Sequence, residues 1–482
     1  MKKSISKNYI YNLSYQLLTL VTPFITTPYI SRVLGPDGVG TYSYTTSIVA
    51  YFILLASLGI ANYAQREIAY HQDDVHAQSR IFYEVMGIRA ITVSISLLSY
   101  YLIISHCDVE DKVIYWVQAI NILVVLFDIS WFFQGLEEFG KIVLRNFVMR
   151  ILSIAGIFLL IHDASDLLLY IGLMAVMNFL GAVSIWLYLP QYLVRVARNE
   201  INPFRNFVVI VQMFLPQIAI QIYTVFDKTM IGILTGSAFE NGYYEQAEKI
   251  VKMALPLVTS LGPVILPRIA ISYAHGDEKA IYGYIMKSYR FMWMVGLPIM
   301  FAMICLIDTA VPWFFGPGYD KVGTLVKIFS GIVVVIGLSG VTGMQYLIAV
   351  NKQNVLTVSV TVGACVNFLL NLLLVPMFLS VGAAIASLIA EICVTTVQFI
   401  FVRKVFSPIK VFALCKQYFC CSICMTAVMA GMGNFLQLEA GIINTSILMV
   451  SGLGVYVFLL WVLKDDLFMW GVEKLRGKIL RC

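Results

Sequence analysis

The chain has 482 residues, of which 60% are hydrophobic and only 12% charged. A soluble domain carries charge on about a quarter of its residues, so this composition excludes an ordinary soluble enzyme or binding module and divides the length among apolar spans of about 20 residues. The net charge of +6 does not point to nucleic acid, because the basic residues stand in short connections beside those spans.

Taken in chain order, apolar runs predict about fourteen helices, at 8–30, 42–64, 83–105, 113–133, 143–161, 167–190, 207–234, 248–270, 287–308, 324–349, 354–378, 380–402, 413–433 and 441–463. Only helices and closed barrels satisfy the backbone in hydrocarbon, and continuous apolar runs lack the alternation of a barrel strand. The expected fold is all-α, a polytopic membrane protein. The first run follows Met1-Lys2-Lys3 and holds Pro23 and Pro28. With no small-residue cleavage site after it, it reads as a retained helix rather than a removed signal. Of nine cysteines, most fall in or beside apolar spans and Cys107 stands in an outer loop. Cys420-Cys421-x-x-Cys424 sits in a lipid-depth helix, where small buried hydrophobes fit better than a redox pair or a metal site.

Two stretches about 200 residues apart resemble each other. Val33-Leu34-Gly35, Gly40 and Tyr42 match Ile233-Leu234, Gly236, Gly242 and Tyr244, and Ser57-Leu58-Gly59, Arg66 and Tyr70 match Ser260-Leu261-Gly262, Arg268 and Tyr273. The alternative is chance similarity between apolar helices. Read as a duplication, the repeat makes residues 1–194 an N-lobe of helices 1–6 and residues 207–402 a C-lobe of helices 7–12. A cytoplasmic linker at 195–206 joins them, and 403–482 adds helices 13 and 14 with a basic tail. Equivalent helices are six spans apart, so the copies share an orientation, as in transporters built from parallel repeats.

Lysine and arginine recur in alternate connections, as in Lys2, Lys3, Lys7, Arg66, Arg80, Lys141, Arg145, Arg195, Arg198, Arg205 and Arg403, while the opposite set holds little beyond Lys112 and Lys321. By the positive-inside rule both termini are cytoplasmic.

Ionisable groups inside spans cost roughly 2.5–3.5 kcal/mol on insertion scales and need a partner, a wet cavity or an interface. Asp227-Lys228 stands about 10 Å inside the outer end of helix 7, at 1.5 Å per residue, either in a structural ion pair or facing a cavity. Arg32 ends helix 1, while Lys249 and Lys252 lie a turn apart on helix 8, where snorkelling is the alternative reading. Arg89 and Arg150 lie about two turns inside helices 3 and 5. Arg32, Lys228, Lys252, Arg89 and Arg150 are therefore the candidate cations of a substrate cavity. Asp227, Asp128 and Glu391 are the embedded acids that proton or sodium coupling would use. Asn178, Asn367, Gln217, Gln221 and Tyr223 could bond to sugars or between helices. Proline interrupts helix 1 (Pro23, Pro28), helix 7 (Pro216) and helix 8 (Pro256, Pro263, Pro267), bending each.

No Gly-x-x-x-x-Gly-Lys-[Ser/Thr] loop is present, so ATP hydrolysis is not expected of this chain. No cofactor or metal is expected either. Asp73-Asp74 and Asp163…Asp166 sit in short polar loops and read as solvated, not catalytic.

The stretches TTPYISRVLGPDGVGTYSY at 26–44, WFFQGLEEFGKIVLRNFVMR at 131–150 and FDKTMIGILTGSAFENGYYEQAEKIVKM at 226–253, with LPRIA at 266–270, resemble Wzx-type oligosaccharide flippases. These form the polysaccharide transporter branch of the multidrug/oligosaccharidyl-lipid/polysaccharide exporter superfamily. The resemblance spans helices 1 to 12. It implies transport of an undecaprenyl-pyrophosphate-linked oligosaccharide repeat unit from the cytoplasmic to the outer leaflet of a bacterial cell membrane, by alternating access, for capsule, O-antigen or related polymer. Polysaccharide polymerase and chain-length machinery are its implied partners. The Arg32-Val-Leu-Gly end of helix 1 is similar to that of lipid II flippases, but the Arg-Asp pair those carry earlier in the helix is replaced here by Thr26-Thr27-Pro28. The rivals are a cation-coupled drug or metabolite antiporter of the same superfamily and, from another class, a membrane-embedded polymerase or ligase. Such enzymes carry a large outer loop, and no outer loop here exceeds about 15 residues.

Overall fold

The computed structural model describes residues 5–109, 111–436 and 439–479, without the side chains of 5–20, 215–217, 219–224 and 474–479. Pro216, Gln217, Gln221 and Tyr223 therefore lie outside the described side chains, as do the basic residues of both termini. Among the described residues every regular element is helical.

The N-terminal helix α1 (Ile5–Ser57) is two helices joined at Gly35, whose φ of 66° and ψ of 178° leave the helical region. Glycine there takes the left-handed conformation cheaply, and Pro36 restarts the helix at a position where its missing N–H would have had no partner. The break therefore falls at Gly35-Pro36, while Pro23 and Pro28 lie within helix. After Leu58-Gly59, both with positive φ, come α2 (Ile60–Tyr70), α3 (Val75–His106), α4 (Lys112–Gln118), α5 (Ile120–Phe127), α6 (Ser130–Gly135), α7 (Phe139–Leu160) and α8 (Leu167–Ser184). They are followed by α9 (Phe207–Thr235), α10 (Ala238–Thr259), α11 (Gly262–Ala274), α12 (Glu278–Phe314) and α13 (Asp320–Ser339), the last running into a π-helical turn at Gly340–Leu347. The chain closes with α14 (Gln353–Phe378), α15 (Ser380–Val402), α16 (Pro408–Ala413), α17 (Cys415–Phe435), α18 (Ile442–Val462) and α19 (Asp466–Ile479).

Among the described residues, 11 segments are long and apolar enough to cross a membrane, or 12 if the bent pair α10–α11 is one span. The expected fourteen is not reached in that count. Val21–Tyr70 is a single segment although Gly35 breaks it, and Phe207–Thr235, with part of its side chains undescribed, is not among the eleven.

Two compact units divide the chain. The first comprises Met1–Gly232 with Ser237–Gly242, and the second Ile233–Gly236 with Tyr243–Cys482. In the first, Phe82, Trp131, Phe132 and Phe133 form an aromatic core with Ile60 and Ile68, and a second cluster gathers Val49, Val93, Tyr100 and Ile122. The segment at 195–206 is fastened to α3. Asn202 N–H donates to Glu84 Oε1 at 3.0 Å, and Arg205 pairs with the same oxygen at 3.2 Å. A Cβ on Gly87 would lie 2.9 Å from the Pro203 ring. In the second unit Trp293 donates to Val411 O at 3.0 Å. Arg290 reaches Asp465 at 2.9 Å and Asp466 at 3.1 Å, joining α12 to the α18–α19 junction.

Two glycines that the sequence pairs, Gly35 and Gly236, behave alike. Gly236 has a φ of 61°, close to the 66° of Gly35. Within the first unit a Cβ on Gly40 would fall 1.7 Å from Ala238 O, and one on Gly242 would fall 2.0 Å from Pro36 O. Gly40 and Gly242 are 202 residues apart, as are Pro36 and Ala238, so each glycine packs against the helix start that precedes the other.

Candidate functional site

The first unit encloses a cavity of about 550 Å³ whose walls carry Arg89, Arg145, Arg150 and Asp128. Helix periodicity builds it. On α7, Arg145, Asn146, Met149, Arg150 and Ser153 recur at three- and four-residue spacing and share one face. Met174, Met177, Asn178 and Gly181 do the same on α8, and Asn121, Val124 and Val125 on α5. Gly181 packs against Met149, from which a Cβ would stand at an ordinary contact distance of 3.4 Å.

The polar wall depends on a break in the span Lys112–Gly135. At the end of α5 the backbone leaves the helix, and carbonyls in hydrocarbon need donors. Arg89 supplies them, donating to Val125 O at 2.8 Å and Asp128 O at 2.6 Å, while Trp186 donates to Phe127 O at 2.7 Å. Arg89 is buried and its guanidinium lies 5.8 Å from the Trp131 ring centroid. It is thus a positioning residue that sets the break and delivers Asp128 to the cavity.

Asp128 accepts three hydrogen bonds on one oxygen. Its Oδ1 takes the Ser130 N–H at 3.1 Å, the Ser130 hydroxyl, and Arg145 Nη1 at 3.3 Å. Its Oδ2 has no donor among the described residues, and its side chain is 43% exposed, so the second oxygen is open to a ligand. Arg145 also donates through Nε and Nη2 to Asn146 Oδ1 at 3.0 and 2.7 Å. Arg150, half-buried, makes no hydrogen bond or ion pair among the described residues. Three arginines against one aspartate leave the walls with a net charge of two positive. An amide ladder leads away from them, from Asn178 to Asn121 Oδ1 at 3.3 Å, Asn121 to Gln118 Oε1 at 2.8 Å, and Gln118 to Thr46 at 3.0 Å.

Arg89, Arg150, Asp128 and Asn178, expected from the sequence, meet in this cavity. The other candidates stand elsewhere. Arg32 is exposed, three residues before the Gly35 break, and Lys228 is half-buried on α9. Asp227 is buried at 8% exposure, two residues from Thr229, which accepts from Tyr51 and donates to Ser47, each at 3.0 Å. Lys252 is exposed and paired with Glu248 at 2.7 Å, and Lys249 with Glu245 at 3.2 Å, so neighbouring carboxylates offset both charges. Glu391 is half-buried on α15. Sequence reasoning missed Arg145, placed with Lys141 among the connections, and also Asn121 and Asn146. The signal was present: Arg145-Asn146 and Met149-Arg150 repeat every four residues, the spacing of one helix face.

Residues 5–273 match the family described as "Polysaccharide biosynthesis protein". That stretch exceeds half of the 482 residues and contains every residue of the cavity. The chain belongs to that family. Among relatives of this polysaccharide biosynthesis protein is the "Putative O-antigen transporter" of Escherichia coli (strain K12), 24% identical over 84% of this chain and 98% of the relative. The fold is similar to that of the lipid II flippase MurJ in an inward closed conformation. Its TM-score is 0.75 at 15% identity, covering 95% of this chain and 99% of the other. An inward-facing multidrug resistance MATE family transporter shares it at a TM-score of 0.63 and 14% identity, over 84% and 98%.

Proposed function

We propose that this polysaccharide biosynthesis protein is a flippase for lipid-linked oligosaccharides. The substrate is an undecaprenyl-pyrophosphate-linked repeat unit destined for O-antigen, capsule or a related polymer. The name of the Escherichia coli relative supports the pathway, and a name such as lipid II flippase on a protein of similar fold supports the substrate class. The observation that carries the reading is the cavity: two positive charges in excess, one arginine without a partner, and amides beside it. A diphosphate takes charge-assisted hydrogen bonds from arginine, while sugar hydroxyls suit asparagine and the open Asp128 Oδ2. The polyprenyl tail stays in the bilayer, so the protein need only shield the head as it crosses by alternating access between the repeats at 1–194 and 207–402. No covalent step is involved.

The setting is a bacterial cytoplasmic membrane with both termini inside, in line with the basic connections. Polymerase and chain-length machinery take the product. Asp227, Asp128 and Glu391 are the acids available to proton or sodium coupling, and Arg32, Lys228 and Lys252 further cations along the substrate's path. The MATE-like fold favours one second reading, a drug or metabolite antiporter, but a positively charged cavity repels cationic drugs.

The test is reconstitution. Purified protein in vesicles should carry labelled undecaprenyl-pyrophosphate oligosaccharide to the opposite leaflet, and replacing Arg150 with glutamine should slow it at least about tenfold, the loss of one charged hydrogen bond. Export of cationic drugs without movement of the glycolipid would overturn the proposal.

A further inference from the structure

A second cavity, of about 530 Å³, lies wholly in the second unit, lined from α12, α13, α15 and α16. Trp293, Leu338 and Phe399 form its buried floor and Ile400 and Phe412 its exposed walls. The polar atoms along it are turned inward. Trp293 donates to Val411 O at 3.0 Å, Thr395 to Val335 O at 3.2 Å and Thr396 to Ile392 O at 2.7 Å. One polar group in the lining is left over among the described residues. Arg403, at the end of α15, is exposed and makes no hydrogen bond or ion pair. The groove is therefore greasy along its length and cationic at one end.

Its length narrows the occupant. From Ile392 to Arg403 the wall runs eleven residues, or about 16 Å at 1.5 Å per residue. That is half of the roughly 30 Å hydrocarbon core, the depth of one leaflet. A polyprenyl chain is several times longer than a leaflet is deep and would leave most of itself outside. One fatty-acyl chain fits end to end, with its phosphate at the level of Arg403, on the side of the membrane that carries the basic connections.

We propose that this groove holds one acyl chain of an anionic phospholipid, its phosphate bound by Arg403. The site is separate from the arginine cavity of the first unit and does not depend on the transport reading, because its test measures bound lipid alone. The full-length protein is placed in nanodiscs of phosphatidylcholine containing phosphatidylglycerol, extracted mildly, and its retained phospholipids are counted by mass spectrometry. Phosphatidylglycerol should be enriched over its bulk share. Arg403→Gln should reduce that enrichment about fivefold, the factor one basic residue contributes at an anionic lipid surface. Arg403→Lys should keep most of it. Thr396→Trp, an exposed wall position, should lower it by filling the groove with the charge intact. Lys410→Gln, which removes an exposed cation outside the lining, should leave it unchanged.

Equal enrichment in Arg403→Gln or Thr396→Trp would overturn the proposal. So would an equal fall in Lys410→Gln, which would mean diffuse surface attraction. Displacement of phosphatidylglycerol by added undecaprenyl phosphate would reassign the groove to the prenyl lipid. Should Arg403→Gln fail to yield monodisperse protein, Arg403→Met tests the charge in its place, and Thr396→Trp tests the groove with the charge kept.

Discussion

Arg89 and Arg150 line the same cavity but are bound to different things. Arg89 donates to two backbone carbonyls at a helix break, while Arg150 has no partner among the described residues. Replacing Arg89 with glutamine should leave buried carbonyls short of donors at about 1–3 kcal/mol each, and thermal unfolding in detergent should show a clear drop in midpoint. Replacing Arg150 with glutamine should leave that midpoint nearly unchanged and weaken head-group affinity by roughly 10- to 100-fold, the worth of about 1.5–3 kcal/mol for a charged bond. Equal loss of stability in both variants would mean that Arg150 is structural too. At this scale the sequence was informative where charge is expensive: Arg89, Asp128 and Arg150 were all legible as embedded charges, and they converge. Arg145 was not, because a residue six positions into α7 looks like an interfacial cation until its partner Asp128 is seen at 3.3 Å. Nor could the sequence separate the roles of Arg89 and Arg150, since the first is decided by carbonyls that only the α5–α6 break exposes.

Helix breaks and crossings organise the elements. Glycine spacing in the sequence marked Gly35, Gly40, Gly236 and Gly242 as a repeated set, and the structure gives two of them left-handed backbone and two of them close contacts. The sequence alone could not show that Gly242 abuts Pro36 O. An alanine at 242 would place its Cβ 2.0 Å from that oxygen, and because the neighbour is backbone the helices must separate. Overpacking of this kind costs about 1–3 kcal/mol, so Gly242→Ala should lower the unfolding midpoint, whereas Gly283→Ala, in α12 with nothing within 4 Å, should not lower it.

The α18–α19 junction makes a pH prediction. Burial opposes ionisation of Asp465, but hydrogen bonds from Phe468 N–H, Tyr418 and Arg290 outweigh it and hold the carboxyl below the usual range. An unfolded aspartate titrates near about 3.9. With the folded group more acidic, its stabilisation is fully present above that value and is lost as pH falls through the lower, folded one. Unfolding midpoints should therefore fall on acidification below about pH 4, and Asp465→Asn should be less stable at neutral pH and lose that part of the acid dependence. An unaltered acid profile would assign it to other groups.

The whole molecule is a membrane protein, and the orientation proposed for it rests on charge rather than on any single contact. Lysine and arginine crowd one set of connections, among them Arg195, Arg198 and Arg205, and nearly avoid the other, where Cys107 stands exposed. The proposal follows from the reluctance of basic loops to cross the membrane during insertion, a property of the sequence that leaves no trace in side-chain geometry. The helix count was less legible, since a glycine break inside an apolar run and a bend between α10 and α11 both blur where one span ends. Labelling reads the orientation directly. In intact spheroplasts a membrane-impermeant maleimide should modify Cys107, with Cys107→Ser as the background control. Glu200→Cys, at an exposed pair with His76 in the 195–206 segment, should be modified only after permeabilisation. Exposed Cys365, Cys420 and Cys424 belong to helices long and apolar enough to cross the membrane, at a depth the polar reagent does not reach. If Glu200→Cys reacted in intact spheroplasts and Cys107 did not, the protein would lie inverted, and the arginine cavity would have to take its anionic head from the other leaflet.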